Sequence, residues 1–345
     1  MKRFIFFRVD RLGDFIIITN ILKKIKKDFK NCSISVVCSP LNYKLVKSYE
    51  IIDKVYVYDK NKSFLSKIKL IRKICNFDYY ASFSTDGKTF SNICNSLINA
   101  KIKLGLIYRQ KFMGFWLTKP NFIYKHLFFN EYETFTSKKD LLRIEHLPSK
   151  LNKISNFLGL NNKSTEKYFF KPSLLNEKSF KTLFNKKIKK KYILFHLDEK
   201  WIDIKNIENE LYENLIFIQK KLNLRVVLTS FNNNFTYFIK LKQKINSFKP
   251  KNIIILNNCN LFIFERLINY SQCSVSCHSG FVVQIAGCNS TKLFDLINKK
   301  DYIWYSCWKP KNTFHKFLYK SGLYKKRSVN IIFKDIYKQF KINNF

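Results

Sequence analysis

Glycine and proline are scarce in this chain, eight and six among 345 residues. So few backbone breakers exclude a collagen-like, low-complexity or linker-rich polypeptide. Acidic residues are also few: 24 Asp and Glu stand against 64 Lys and Arg, a formal net charge of +40. Arginine supplies only nine of those basic residues. Arginine is the side chain that grips phosphates and base edges bidentately, so a charge carried by lysine argues against nucleic-acid binding. The abundance of Lys, Asn, Ile and Phe follows A/T-rich codon usage instead. A lysine-rich surface still suits anionic lipids and anionic substrates.

Long apolar runs are missing too. None approaches the ~18 residues of a membrane span, and the run at residues 4–7 is too short for a signal-peptide core. The expectation is a cytoplasmic protein resting on a membrane surface. There is no G-x-G-x-x-G, no G-x-x-x-x-G-K-[ST], no G-x-S-x-G and no D-x-D. Nicotinamide-dependent enzymes, P-loop NTPases and α/β-hydrolases are thereby disfavoured. The nine cysteines form no C-x-x-C; the closest pair is Cys273 and Cys277. That spacing suggests buried, reduced thiols rather than a zinc site or a disulfide framework.

What is present is material for a core. Hydrophobic residues make up 46% and aromatics 17%, which excludes intrinsic disorder. At ~150 residues per domain the length favours two domains. Short apolar runs at 3–9, 33–38, 54–58, 79–83 and 103–107 read as strands, and helical periodicity separates them at 15–29, 40–49, 64–75 and 90–98. Residues 110–136 are aromatic-rich without clear periodicity, and 137–158 read as a helix. The alternation restarts with strands near 192–196, 225–228, 252–256, 274–277 and 292–296 and helices between them. A last helix covers 331–340. Strand–helix alternation implies parallel sheets with right-handed crossovers. The expected domains are 1–165 and 166–330, with 331–345 a helix packing back on the first domain. In such sheets ligands sit at the carboxyl ends of the strands, so the strand-to-helix turns hold the candidate residues.

Three turns stand out. In the first, Arg11-Leu12-Gly13-Asp14, Gly13 permits a tight backbone. Asp14 is then either a first-turn acid favoured by the helix dipole or a general base. In the second, Lys200-Trp201 follows a strand, and the lysine either meets phosphate or is one more of the many surface lysines. The third, His278-Ser279-Gly280-Phe281, places small residues at a helix start, where a His and a Ser cap the helix or backbone N–H groups bind a diphosphate.

The ordered set of turns resembles glycosyltransferase family 9, the heptosyltransferase-like family of bacterial lipopolysaccharide and surface-glycan biosynthesis. The resemblance implies an α/β chain of GT-B type: two Rossmann-like, parallel-sheet domains facing a cleft. It also implies inverting, metal-independent transfer of a sugar, heptose or a related one, from a nucleotide-diphosphate donor. The acceptor would be a lipopolysaccharide core or another surface glycan, with no cofactor and with contact to an anionic membrane. Asp14 would be the catalytic base. Lys200, His278, Ser279, Gly280 and the amide of Phe281 would hold the donor diphosphate, with Arg11 and Gly13 shaping the first turn. The family's late motif usually has Asp where His278 stands, and His where Val283 stands. The alternatives are a catalytically degenerate member that binds sugar or partner proteins and, more remotely, a basic nucleic-acid-binding protein.

Overall fold

The structure, a computed structural model, describes residues 1–112, 115–119, 129–136, 146–160, 174–188, 191–232, 234–310, 314–322 and 325–342. The chain forms two compact units. One comprises Met1–Phe169 with Ser306–Trp308, the other Phe170–Tyr305 with Lys309–Phe345. The division thus falls a few residues after the expected 165/166, and the short return at 306–308 had no sequence signal.

The first unit opens with β1 (Lys2–Arg8), α1 (Leu12–Asp28), β2 (Cys32–Cys38), α2 (Tyr43–Lys47) and β3 (Lys54–Val57). It continues with α3 (Phe64–Cys75), β4 (Tyr79–Ser84), α4 (Thr89–Leu97), β5 (Ala100–Phe112), β6 (Phe115–Lys119), β7 (Glu131–Thr136) and α5 (Leu147–Asn156). The strands run β3-β2-β1-β4-β5 in parallel, with β7 parallel to β5 and β6 antiparallel to its far end. In β1, Phe4, Ile5, Phe6 and Phe7 are all fully buried. Consecutive apolar residues suit a parallel strand covered on both faces, where alternation would leave polar groups inside. In α1, Phe15, Ile18, Ile21, Leu22 and Ile25 are buried, and Lys26 and Lys27 lie in the last turn, where cations complement the helix dipole. Two strands within 110–136 correct the expectation of irregular chain there; pairing with the long β5, a non-local contact, decides them. Within the expected helix at 137–158, residues 137–145 lie outside the described residues and α5 accounts for the rest.

The second unit contains α6 (Leu174–Leu183), β8 (Tyr192–His196), α7 (Ile207–Leu222), β9 (Arg225–Ser230) and α8 (Thr236–Phe248). Next come β10 (Ile253–Asn257), α9 (Leu261–Tyr270), β11 (Cys273–Ser276), α10 (Gly280–Cys288) and β12 (Leu293–Asn298). The unit closes with α11 (Tyr302–Ser306), β13 (His315–Ser321) and α12 (Val329–Ile342). Its sheet is ordered β10-β9-β8-β11-β12-β13 and every pairing is parallel. β13 was not apparent in the sequence, because at the sheet edge it shows neither a continuous apolar run nor clean alternation.

The expectation that 331–345 packs back on the first domain is corrected. Ile332, Phe333, Ile336 and Phe340 of α12 are buried in the same core as Phe195 of β8 and Leu211 and Leu215 of α7. The Phe333 and Phe195 rings stack with centroids 5.4 Å apart. The i, i+4, i+8 spacing of 332, 336 and 340 makes one apolar stripe, and the second unit covers it.

Among the described residues no helix is long and apolar enough to cross a membrane. None of the nine cysteines is in a disulfide.

At Gly287 a close approach leaves no room for a side chain. A Cβ on Gly287, in the last turn of α10, would fall inside the Pro310 ring, and a proline ring yields little. Gly287→Ala is therefore expected to lower stability by about 1–3 kcal/mol, read as a reduced melting temperature with unchanged far-UV circular dichroism. An unaltered melting temperature would show that Pro310 is free to move.

Candidate functional site

Both sheets reverse strand order at one point, between β1 and β4 in the first unit and between β8 and β11 in the second. In an open parallel sheet the helices leaving the strands on either side of such a reversal depart on opposite faces, which opens a crevice at the carboxyl ends. All three candidate turns leave these strands.

In the first unit, Arg8 ends β1 with its side chain fully buried. Its Nε donates to the Asp14 carbonyl at 2.9 Å and Nη1 donates to the Thr85 carbonyl. Nη2 lies 3.6 Å from Asp14 Oδ1, and Nη1 lies 4.0 Å from Asp10 Oδ2. Asp10 also pairs with the Lys88 ammonium. Asp14 is the third residue of α1, where its Oδ2 accepts the Arg11 N–H at 3.1 Å. The helix therefore starts at Leu12, earlier than the expected 15. Gly13 lies buried inside the first helical turn and not in a tight turn before it, which corrects the role given to it. Arg11 is the N-cap residue and is exposed.

Asp14 thus fills its structural role and is also poised chemically. Its side chain remains 24% exposed. Burial raises its pKa, Arg8 pulls it back down, and Asp10 raises it further. A partly exposed carboxylate with a raised pKa is a better proton acceptor than a free one. A third carboxyl, Asp86, lies just beyond β4 and carries no motif in the sequence. It is fully buried and accepts the Val9 N–H (3.0 Å), the Lys88 N–H (3.0 Å) and the Ser91 hydroxyl (2.8 Å). Burial first and the Asp10 charge second push its pKa to about 6. Arg8, Asp10, Asp86 and Lys88 have no motif to mark them; strand pairing brings them together.

In the second unit, β8 runs into a 3₁₀ turn at Glu199–Asp203. Three anchors hold it. The Asp198 carboxylate accepts the Lys200 N–H at 3.1 Å, Tyr237 donates its hydroxyl to the Asp198 carbonyl at 2.7 Å, and buried Trp201 donates Nε1 to the His196 carbonyl at 2.9 Å. So fixed, Lys200 extends its ammonium to the His278 carbonyl, 2.7 Å away. Two candidates 78 residues apart in sequence are in contact. Lys320 in turn donates to the Lys200 carbonyl at 2.6 Å and to Asp203 at 3.1 Å.

His278 has φ 52°, the left-handed region. That bend turns the chain from β11 into α10. Ser279 is the N-cap and makes no side-chain cap hydrogen bond; Gly280 is exposed. The Phe281 ring is buried and stacks on Phe264 at 5.4 Å, so its side chain is turned into the core. His278 Nδ1 meets buried Asp295 at 2.7 Å, and the ring stacks on Tyr305 with centroids 3.6 Å apart. His196 has no comparable role. Burial and then Lys200 depress its pKa to about 3, so it stays neutral among Phe264 and Phe231. Among the described residues no group of three or more His, Cys, Asp and Glu is arranged to hold a metal ion.

No family model matches the sequence, and no curated protein matches it. Solved structures do match. A glycosyltransferase family 9 protein from Veillonella parvula superposes with a TM-score of 0.68 at 14% identity, covering 99% of this chain and 89% of that one. E. coli heptosyltransferase WaaC with ADP gives 0.67 at 13% identity, covering 99% and 100%. The chain has the heptosyltransferase-like GT-B fold. A UDP-GlcNAc 2-epimerase from Methanocaldococcus jannaschii matches at TM-score 0.54 and 13% identity, covering 99% and 100%. The GT-B fold therefore hosts more than one reaction, and function has to be argued from the residues at the turns.

Asp86 generates a pH signature. Its folded pKa of about 6 lies above the ordinary carboxylate value of 3.8. The folded state then binds more protons than the unfolded state between those values, so this group's contribution falls as pH rises through the window. Asp86→Asn is expected to cost most stability near pH 4 and markedly less near pH 7. Urea unfolding of both proteins across that range checks it; a pH-independent difference would refute the assignment.

Proposed function

We propose that this protein is an inverting, metal-independent glycosyltransferase. It moves a sugar, heptose or a related one, from a nucleoside-diphosphate donor to a lipopolysaccharide core or other surface-glycan acceptor. The observation that carries the reading is the contact between Lys200 and the turn into α10. A cation and a helix N-terminus converge at the switch point of the second sheet, in a chain with the fold of the heptosyltransferases. Positive charge and oriented N–H groups at one point suit the diphosphate of a nucleotide sugar.

The roles follow from charge. In glycosyl transfer the anomeric carbon becomes oxocarbenium-like and the departing diphosphate gains negative charge. The Lys200 ammonium and the N–H groups at Ser279, Gly280 and Phe281 stabilise that charge, the task a divalent cation does elsewhere. Asp14 accepts the proton of the acceptor hydroxyl as that oxygen attacks the anomeric carbon. Attack opposite the leaving group inverts the centre. Arg8 holds Asp14 in place, and the raised pKa makes its carboxylate a competent base. The lysine excess suits a phosphorylated or membrane-bound acceptor on the cytoplasmic side.

Thermal-shift titration with ADP-, GDP-, UDP-, CMP- and dTDP-sugars in EDTA is the first test, with selective stabilisation by one nucleotide expected. With that donor, Asp14→Asn should lower kcat by about 10²–10⁴-fold while donor affinity holds. The asparagine Oδ1 still accepts the Arg11 N–H, so the helix start survives. Full activity in Asp14→Asn removes the base assignment, and stabilisation by RNA alone moves the protein to another class. Lys200→Met should weaken donor binding roughly tenfold or more, the loss of a charge-assisted hydrogen bond; unchanged affinity removes its phosphate role.

A further inference from the structure

Asp295 is a buried carboxylate shared by two imidazoles. It lies on β12 in register with Ser276, the last residue of β11, and is fully buried. Its Oδ2 meets His278 Nδ1 at 2.7 Å and His315 Nε2 at 3.0 Å. Burial alone would raise the Asp295 pKa. His278 and His315 outweigh it and hold the carboxyl well below its ordinary range, so the group is ionised.

A buried anion needs a positive partner. The His315 side chain is 1% exposed and that of His278 11%, so His278 is the imidazole of the pair open to solvent and to a ligand. Other groups lie around the pair. Lys200 is engaged by the His278 carbonyl, and Lys309 donates to the His315 carbonyl at 3.0 Å. Cys277 is kept a neutral thiol by burial, and Tyr305 offers a ring face.

The geometry then separates the two ring nitrogens. Nδ1 is bound to Asp295, and the other nitrogen, Nε2, belongs to a ring carried on the turn that leads into α10. A left-handed backbone at a non-glycine residue is uncommon, and strained residues of this kind cluster at functional sites. Here the Lys200 contact, the Tyr305 stack and the Asp295 bond all fix the same residue.

Resting on the nucleotide-sugar reading, we propose that His278, held by Asp295, is the general acid for the departing diphosphate. Nε2–H hydrogen-bonds to the oxygen that links the sugar to the diphosphate. As the anomeric C–O bond breaks, its electron pair goes to that oxygen and the Nε2 proton follows. A neutral imidazole remains, still donating Nδ1–H to Asp295. The acceptor's own proton goes to Asp14, and solvent reprotonates His278. Asp295 and His315 are positioning residues; His278 is the catalytic one. The dyad logic is that of a carboxylate fixing the tautomer and stabilising the imidazolium.

The test is calorimetric binding of ADP, GDP, UDP, CDP and inorganic pyrophosphate, in EDTA, at pH 6 and pH 8. Wild type and His278→Gln are compared, so that the ligand's own ionisation cancels. Binding should weaken from pH 6 to pH 8 by about tenfold more in the wild type, the loss of one charge-assisted hydrogen bond. The pH profile of kcat should lose its alkaline limb in His278→Gln, and Asp295→Asn should shift that limb to lower pH. Should Asp295→Asn not fold, His278→Gln carries the test alone, since its side chain is the more exposed partner. Equal pH dependence in wild type and His278→Gln, with nucleotide binding intact, overturns the proposal and leaves the transferase reading standing. Absence of binding by every nucleotide and by pyrophosphate in the wild type overturns both.

Discussion

A parallel strand covered by helices on both faces has no position along its length where a charge can meet water. The apolar runs Phe4–Phe7 and Ile193–Phe195 obey that constraint with near-zero exposure. Polar side chains are therefore pushed to the strand ends, and the strand order decides which ends matter. In each unit the order reverses once, and the helices leaving the two central strands diverge there. Arg8, Asp14, Lys200 and His278 all lie at or just beyond central strands.

At those ends the chain tolerates arrangements that stability alone would disfavour. Three carboxyls, Asp10, Asp14 and Asp86, lie around a single buried guanidinium; burial above all, and the Asp10 charge in addition, raise the pKa values of Asp14 and Asp86, while Arg8 pulls both down. In the second unit His278 adopts a left-handed backbone, and a fully buried carboxylate serves two imidazoles. Departures from local consistency are expected where a protein does its work.

The GT-B fold persists at 13–14% identity to the heptosyltransferase structures. That is understandable because the fold constrains pattern more than residue identity. A buried strand needs any run of Phe, Ile or Val; a covering helix needs any apolar stripe. A reacting group is less replaceable. His278 and Val283 stand where the late motif of the resembling family usually has Asp and His, and in this chain the His278 ring meets a carboxylate, Asp295, from a neighbouring strand.

Local pattern determined much of this protein by itself. The strand–helix alternation, the helix start after His278, the absence of nucleotide-binding glycine motifs and the candidate status of Asp14, Lys200 and His278 were all legible, because each depends on near neighbours in sequence. Other features were not. The edge strand β13, the pairings of β6 and β7, and the packing of α12 against β8 and α7 depend on partners far along the chain. So do the chemical identities of the site. Asp86 becomes a carboxyl of raised pKa only because β4 lies beside β1, and Lys200 meets His278 only because β8 lies beside β11. Asp295 acquires its two imidazoles only because β12 lies between β11 and β13. Sequence spacing carries no record of such pairings; burial and distance across adjacent strands, which set the charge states, exist only once the sheets have formed.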